Sequence, residues 1–262
     1  MIFKNILGVH SKTSNIALNT ELGSNPLCFK SYKLMFKYYS RLMEIERDTN
    51  NKENKFTLLK SAFKEDKNMY SLNCAFSWVK CLHQLEKVIG IPYLDIPYSE
   101  FEKSLDSFYK NKLTNQLNKI KDTNSGKLRF YSQICKNLDL KPYLSLNISK
   151  SLRTQLTKLR VSAHSLEIET GRYKRPYLPA SERFCKYCSG EIEDETHFLL
   201  YCPLYKELRE KYIYNTLSHV PNRQNDLYIV SKVINPETYD QVKNLCMYIK
   251  EAMDVRYNFL NT

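Results

Sequence analysis

Apolar residues recur three and four positions apart through most of this chain, the spacing that lines one face of an α-helix. From Pro26 to about Glu46, Leu27, Tyr32, Leu34, Met35, Tyr38, Tyr39, Leu42, Met43 and Ile45 give a broad apolar face with Lys30, Lys33, Lys37 and Arg41 beside it, which predicts a core helix. A short helix is expected before it, capped by Thr13 or Ser14 and ended by Gly23. Polar Asp48–Lys55 reads as a linker and Phe56 to Phe63 as a second helix. Ser71 to Ile89, with Leu72, Ala75, Phe76, Val79, Leu82, Leu85 and Val88, reads as another that stops at Gly90 and Pro92. Ser99-Glu100-Phe101-Glu102 has the form of a capping box, and Phe101, Leu105, Phe108, Leu113, Leu117 and Ile120 continue a long amphipathic helix to the turn Asn124-Ser125-Gly126. Leu128, Tyr131, Ile134 and Leu138 mark a helix that ends before Pro142. Ser149 caps one with Leu152, Leu156 and Leu159 inward. Asn235-Pro236 precedes a last one carrying Val242, Leu245, Cys246, Ile249, Met253, Tyr257 and Leu260.

Between Arg183 and Leu208 a different pattern takes over, RFCKYCSGEIEDETHFLLYCPLYKEL. Two residues separate Cys185 from Cys188, eight separate Cys188 from His197, and four separate His197 from Cys202. Two cysteines so spaced sit in one tight turn with both sulfurs toward a metal, which then needs two further ligands to close the tetrahedron of a structural zinc site. His197 and Cys202 can supply them. On one unbroken α-helix they would point about 140° apart, so a bend is expected, with Pro203 opening the helix LYKELREKYI and Cys202 at its N-cap. Ser189-Gly190 makes the turn after the first pair.

The competing readings are structural cysteines at chance spacing and a disulfide. The apolar patch Ile2, Phe3, Ile6 and Leu7 is too short for a secretory signal, so reduced thiols in an intracellular protein, nuclear or cytoplasmic, are expected. Four ligands leave no open position for water, and the Zn²⁺ is therefore expected to be structural. Cys74 and Cys81 read as buried free thiols, Cys135 as an isolated one, and His10 and His83 make no site of their own. With only 6 glycines and abundant Lys, Leu and Glu, the predicted fold class is mostly α. A helical bundle is followed by a small zinc-stapled C-terminal module, with a boundary between 1–148 and 149–262.

Charge changes the picture of the surface. A net charge of +12 and a pI of about 9.2 point to a polyanionic partner, RNA or DNA, although Lys beside Asn also follows from an AT-rich genome. The candidate nucleic-acid contacts are Arg153, Lys158 and Arg160 on the outer side of the helix after Ser149. With them go Arg172, Tyr173, Lys174, Arg175 and Tyr177 in a Pro-punctuated loop, and Lys186 on the first cysteine turn. Basic residues interleaved with aromatics suit phosphate contact plus stacking, each stacked base being worth roughly 1–3 kcal/mol. Glu167, Glu169 and Glu182 interrupt that charge. Mean hydropathy is −0.51 and no apolar run approaches the roughly eighteen residues that span a bilayer, so no membrane partner is expected.

The wording LTKLRVSAHSLEIETGRYKRP, ERFCKYC and EIEDETHFLLYCPLYKELR resembles the segment that follows the polymerase domain in reverse transcriptases of non-LTR, LINE-like retrotransposons. LGVHSKTSNIALNTELG resembles the stretch just after their catalytic domain. The likeness is strong from Leu156 to Arg209 and weaker elsewhere. It implies that Cys185, Cys188, His197 and Cys202 fall on the four ligands of the family's zinc-binding-like element, and that 1–148 is the helical region after the polymerase.

Template-directed polymerisation needs paired aspartates on a hairpin, usually Tyr/Phe-x-Asp-Asp, to hold two metal ions. The chain has no such pair: Tyr93-Leu94-Asp95-Ile96 lacks the second acid, and no Pro-Asp…Asp pattern of a restriction-like nuclease occurs. The expectation is a non-catalytic fragment that helps hold RNA or DNA, with the missing polymerase half as a partner. The alternative is a structural or protein-interaction module whose zinc only staples a helical bundle.

Overall fold

The computed structural model describes residues 2–47, 56–74, 77–90, 96–123, 126–218 and 225–261. Among them the α-helices are, in order, α1 Ile2–Leu7, α2 Asn15–Glu21, α3 Leu27–Arg47, α4 Thr57–Ser71, α5 Trp78–Ile89, α6 Tyr98–Thr123, α7 Arg129–Ile134, α8 Lys150–Arg160, α9 Glu167–Thr170, α10 Lys206–Tyr212, α11 Tyr214–Ser218, α12 Asp226–Ile234 and α13 Tyr239–Asn261. No described residue belongs to a β-strand, and extended pairing is confined to two isolated antiparallel bridges, Leu22 with Leu140 and Phe184 with Ile192. The chain is mostly α, as its periodicity predicts.

Asn25–Thr114 is one compact unit. α3 buries Phe29, Phe36, Tyr39 and Leu42, and Phe36 stacks on Phe101 of α6 with ring centroids 4.0 Å apart. The expected helix boundaries shift between α4 and α5. α4 runs on to Ser71, and the helix expected from Ser71 starts at Trp78. Asp66 gives the reason: its buried carboxylate accepts from the Ser77 hydroxyl at 3.0 Å and from the amides of Trp78 and Val79 at 3.2 and 3.0 Å. A carboxylate on α4 thus caps α5, and the chain between them has to turn. That turn leaves Cys74 half-buried and Cys81 exposed, where buried thiols were expected. α6 starts at Tyr98, so Ser99 lies inside its first turn and does not cap it. The linker at 48–55, Ala75-Phe76, Pro92 and Asn124-Ser125 lie outside the described residues.

Met1–Ser24 and Asn115–Thr262 form the other unit, so the division does not fall at 148/149. The N-terminal segment folds into the later core. The Lys141 amide donates to the Glu21 carbonyl at 3.0 Å, Leu22 bridges Leu140, and Leu7 and Leu18 join Tyr131, Ile134, Leu156, Leu159, Phe198 and Tyr248 in one apolar cluster. α13 packs on α8 and α10, and α12, which the sequence pattern did not single out, packs on α7. Ser149 caps α8 as expected, its hydroxyl accepting from the Leu152 amide at 3.5 Å.

Candidate metal centre

Local backbone chemistry sets the first cysteine pair. The Glu193 amide donates to the Arg183 carbonyl at 2.9 Å and the Cys185 amide to the Glu191 carbonyl at 2.7 Å, which closes a small hairpin around the Phe184–Ile192 bridge. At its tip the Ser189 amide donates to the Cys185 carbonyl at 3.0 Å, and Ser189 takes a left-handed φ of 56°. Cys185 and Cys188 are thereby held on one turn.

The second pair meets by a route the sequence did not reveal. His197–Tyr201 is a single π-helical turn, closed by the Cys202 amide donating to the His197 carbonyl at 2.8 Å. A hydrogen bond across five residues puts His197 and Cys202 on the same side, where an α-helix would separate them. Asp194 starts the turn by accepting from the His197 amide at 2.8 Å, and Tyr248 of α13 donates to the Phe198 carbonyl at 2.6 Å. Pro203 opens a 3₁₀ turn, Pro203–Tyr205, that leads into α10.

These elements bring the four predicted ligands together: the donor atoms of Cys185, Cys188, His197 and Cys202 all lie within 4.8 Å of one another. The Cys202 sulfur is 3.9 Å from that of Cys185 and 3.8 Å from that of Cys188. A tetrahedral ion with metal–sulfur bonds near 2.3 Å sets its sulfurs about 3.8 Å apart. His197 Nε2 is enclosed and has no hydrogen-bond partner among the described residues. Burial pushes the His197 imidazole below its ordinary range, which keeps it neutral, the form a metal takes. The residues present fit a metal ion.

Arg183, two residues before the first cysteine, is 1 % exposed and donates to the carbonyls of Ile168 and Leu178 at 2.7 and 2.8 Å. The cation that reaches the centre is Arg209, which donates to the Cys202 carbonyl at 2.7 Å.

The nine candidate nucleic-acid residues fall into two groups. Arg160 cannot meet a phosphate: it is 1 % exposed, its Nε and Nη2 are bonded to Glu21 at 3.0 and 2.9 Å, and its Nη1 donates to the Ile234 carbonyl. Arg153 is half-buried and donates to the Leu144 carbonyl, and Lys158 is half-buried on the same helix. Arg172 is bonded to Glu169 at 3.1 Å and to the Gly126 carbonyl, and Lys174 to Glu167 at 2.5 Å. Arg175, Lys186, Tyr173 and Tyr177 are exposed. What the sequence pattern did not disclose is a set of buried acids that take up basic charge: Glu21, Glu193 with Arg256, and Glu195 with Arg129 and His164. Acidic residues alternating through EIET and EIEDE in an otherwise basic chain were the available signal.

No protein-family model matches the chain, and neither a curated protein nor a solved structure matches it.

Proposed function

We propose that this chain is a zinc-stabilised, non-catalytic helical module that binds RNA or DNA. The observation that carries the zinc assignment is the meeting of three sulfurs and an unpartnered imidazole nitrogen at tetrahedral spacing. Three soft thiolates with one imidazole select zinc over hard cations, and four protein ligands leave no place for a reacting water. Bound Zn²⁺ would join the hairpin of Cys185 and Cys188 to the turn of His197 and Cys202, and so contribute to folding. Metal analysis of the purified chain tests this, with cobalt in place of zinc giving tetrahedral thiolate absorption. A fully folded chain without metal at any stage of purification overturns it.

The nucleic-acid part is supported by the net charge of +12 and by Tyr173, Arg175, Tyr177 and Lys186, which stand exposed on the loop and hairpin beside the metal centre. Support for a retrotransposon origin comes from the sequence resemblance between Leu156 and Arg209, and that origin would make the polymerase-bearing part of such a protein the partner. A second reading, a structural or protein-interaction module, is favoured by the fate of Arg160, Arg172 and Lys174, whose charges are taken up by Glu21, Glu169 and Glu167. A steep fall of oligonucleotide affinity with salt belongs to the first reading and its absence to the second.

A further inference from the structure

A cavity of about 330 Å³ opens between the loop that follows α7 and the end of α12, within one compact unit. We propose that it binds a small organic carboxylate, its carboxyl group held by Lys141 and Asn137 and a compact apolar body lying against the prolines of the wall. Neither the metal nor a nucleic acid is needed for it.

An unmatched buried charge carries the inference. Lys141 lines the cavity and is 5 % exposed, yet it is in no ion pair among the described residues. Its ammonium donates to the carbonyl and to the side-chain oxygen of Asn137, at 2.5 and 2.8 Å, and its third N–H has no partner among the described residues. Both acceptors are neutral. The buried acid of this region is already spent, since Glu21 takes the Arg160 guanidinium at 3.0 and 2.9 Å and the Tyr143 hydroxyl at 2.7 Å. Asp139 is exposed and forms no ion pair with Lys141. Two buried cations thus share one buried acid, and one positive charge is left over. A buried charge without a counter-ion is costly, and an apolar side chain of similar size would fill the space without that cost. In keeping with this, burial pushes the Lys141 amine below its ordinary 10.5.

The rest of the wall sets the kind of anion. The ammonium is not sealed in, because Asn137, whose side chain it meets, is exposed and lines the same cavity. Asn137 Oδ1 accepts from Lys141 and from the Asp139 amide at 3.3 Å, which fixes the orientation of the side-chain amide and leaves its Nδ2 without a partner among the described residues. Lys141 and Asn137 therefore present unused N–H donors side by side, the complement of the two oxygens of a carboxylate. One leftover positive charge calls for one negative charge. A dianionic phosphate would have only Lys136, exposed at the rim, for its second charge, and would face Glu237 there. Pro142, Ile234 and Pro236 supply apolar surface, and the volume lies at the low end for small-molecule sites, which limits the body to a few carbons or one ring. A free acid and the carboxyl end of a peptide share this chemistry.

The experiment is calorimetric titration of the full, metal-loaded chain with benzoate, 3-methylbutanoate and N-acetylleucine, with benzamide and inorganic phosphate as controls. Benzoate should bind in roughly the millimolar range. Benzamide, which has the same shape without the charge, should bind at least about tenfold more weakly. Asn137→Asp supplies Lys141 with a carboxylate from within, and Lys141→Met removes the charge. Both variants should melt at an unchanged or raised temperature while losing benzoate affinity roughly tenfold or more. Wild-type affinity should also fall with rising pH before exposed lysines, near 10.4, give up their protons. Tighter binding of 3-methylbutanoate than of N-acetylleucine identifies a free acid as the ligand, and the reverse order identifies a chain end. Equal binding of benzoate and benzamide, a preference for phosphate over every carboxylate, benzoate affinity unchanged in both variants, or no binding at all overturns the proposal.

Discussion

Arg256, near the end of α13, donates from Nε and Nη2 to the two carboxylate oxygens of Glu193, each at 2.7 Å, with both side chains no more than 8 % exposed. Glu193 also accepts from the Glu167 amide at 2.7 Å, so one carboxylate ties the last helix and α9 to the hairpin that carries Cys185 and Cys188. Removing one partner of a buried pair strands the other charge, at a cost of about 3–5 kcal/mol. Arg256→Met is expected to lose that much in urea unfolding at fixed metal. Arg256→Met with Glu193→Met should recover part of it, since the Glu167 amide is then left without its acceptor. A single-variant loss below about 1 kcal/mol would show that the pair is not a structural tie.

Arg172 is expected to behave as a structural residue. Burial pushes the Glu169 carboxyl up from 4.5 while Arg172 opposes the shift. A carboxyl raised in the fold favours the protonated form, so its contribution is retained at low pH and lost as pH rises through the folded value. Arg172→Ala removes the opposing charge and should cost roughly 1–3 kcal/mol at pH 7. The deficit should shrink below about pH 4.5, where Glu169 is protonated with or without Arg172. Thermal melts of both chains from pH 4 to pH 8 measure this. A pH-independent deficit contradicts it.

The cluster of candidate metal ligands was legible because its spacing is local: Cys185, Cys188, His197 and Cys202 announce themselves within one short stretch. How the last two converge was not. The choice between an α turn and a π turn at His197–Tyr201 is fixed by contacts from elsewhere, among them the hydrogen bond from Tyr248 to Phe198. The same reason explains Arg160. Helical periodicity puts an arginine on the outer face by default, and the partner that draws it inward, Glu21, is 139 residues away in sequence. The division of the chain into units was hidden likewise, because nothing in residues 2–24 announces that they pack with the C-terminal core. At the α4–α5 junction no glycine or proline marks the break; a single buried acid, Asp66, imposes it.

Gly23 shows how tightly that N-terminal segment is docked. It has a φ of 55°, and a Cβ added there would lie 2.2 Å from the Leu140 amide nitrogen. Gly23→Ala is expected to cost at least about 2 kcal/mol, since the left-handed penalty of roughly 1–2 kcal/mol is joined by a clash with backbone. Gly126→Ala, with an equally left-handed φ of 84° but no atom within 4 Å, should show the conformational penalty alone. Chemical denaturation of the two variants compares them, and equal destabilisation would mean that the Leu22–Leu140 bridge is loose in solution.

Arg175 and Lys186 are exposed cations of the loop and hairpin, where Lys174, also exposed, is paired with Glu167. Replacing both by alanine should leave stability within about 0.5 kcal/mol. It should also flatten the salt slope of single-stranded RNA binding by roughly 0.7 for each phosphate that is no longer neutralised. Tyr177, over which Arg183 lies at 5.6 Å, should weaken binding on change to alanine with little effect on the slope. Unaltered affinity in the Arg175, Lys186 double variant would favour the structural reading of the chain.

The metal centre makes a prediction about protons. In the metal-free chain burial pushes the Cys202 thiol well above its ordinary 9.0, and Cys188 is raised for the same reason. Thiols raised in the fold contribute stability below about pH 9 and lose it as pH rises, so the metal-free chain should weaken in alkali. The metal-bound chain has the opposite dependence, because its sulfurs must be thiolates: adding Zn²⁺ should release protons, and affinity should rise with pH. Since burial keeps His197 neutral, the thiols set the acid limit of binding. Alkylation followed by mass spectrometry reads the same site. Exposed Cys28 and Cys81 should label first, and Cys246, buried and pushed up to about 12, should label only on unfolding. Cys185, Cys188 and Cys202 should be protected until a chelator is added, with half-buried Cys188 then the first to react. Rapid labelling of Cys188 in the loaded chain, or metal uptake without proton release, would exclude a closed four-ligand site.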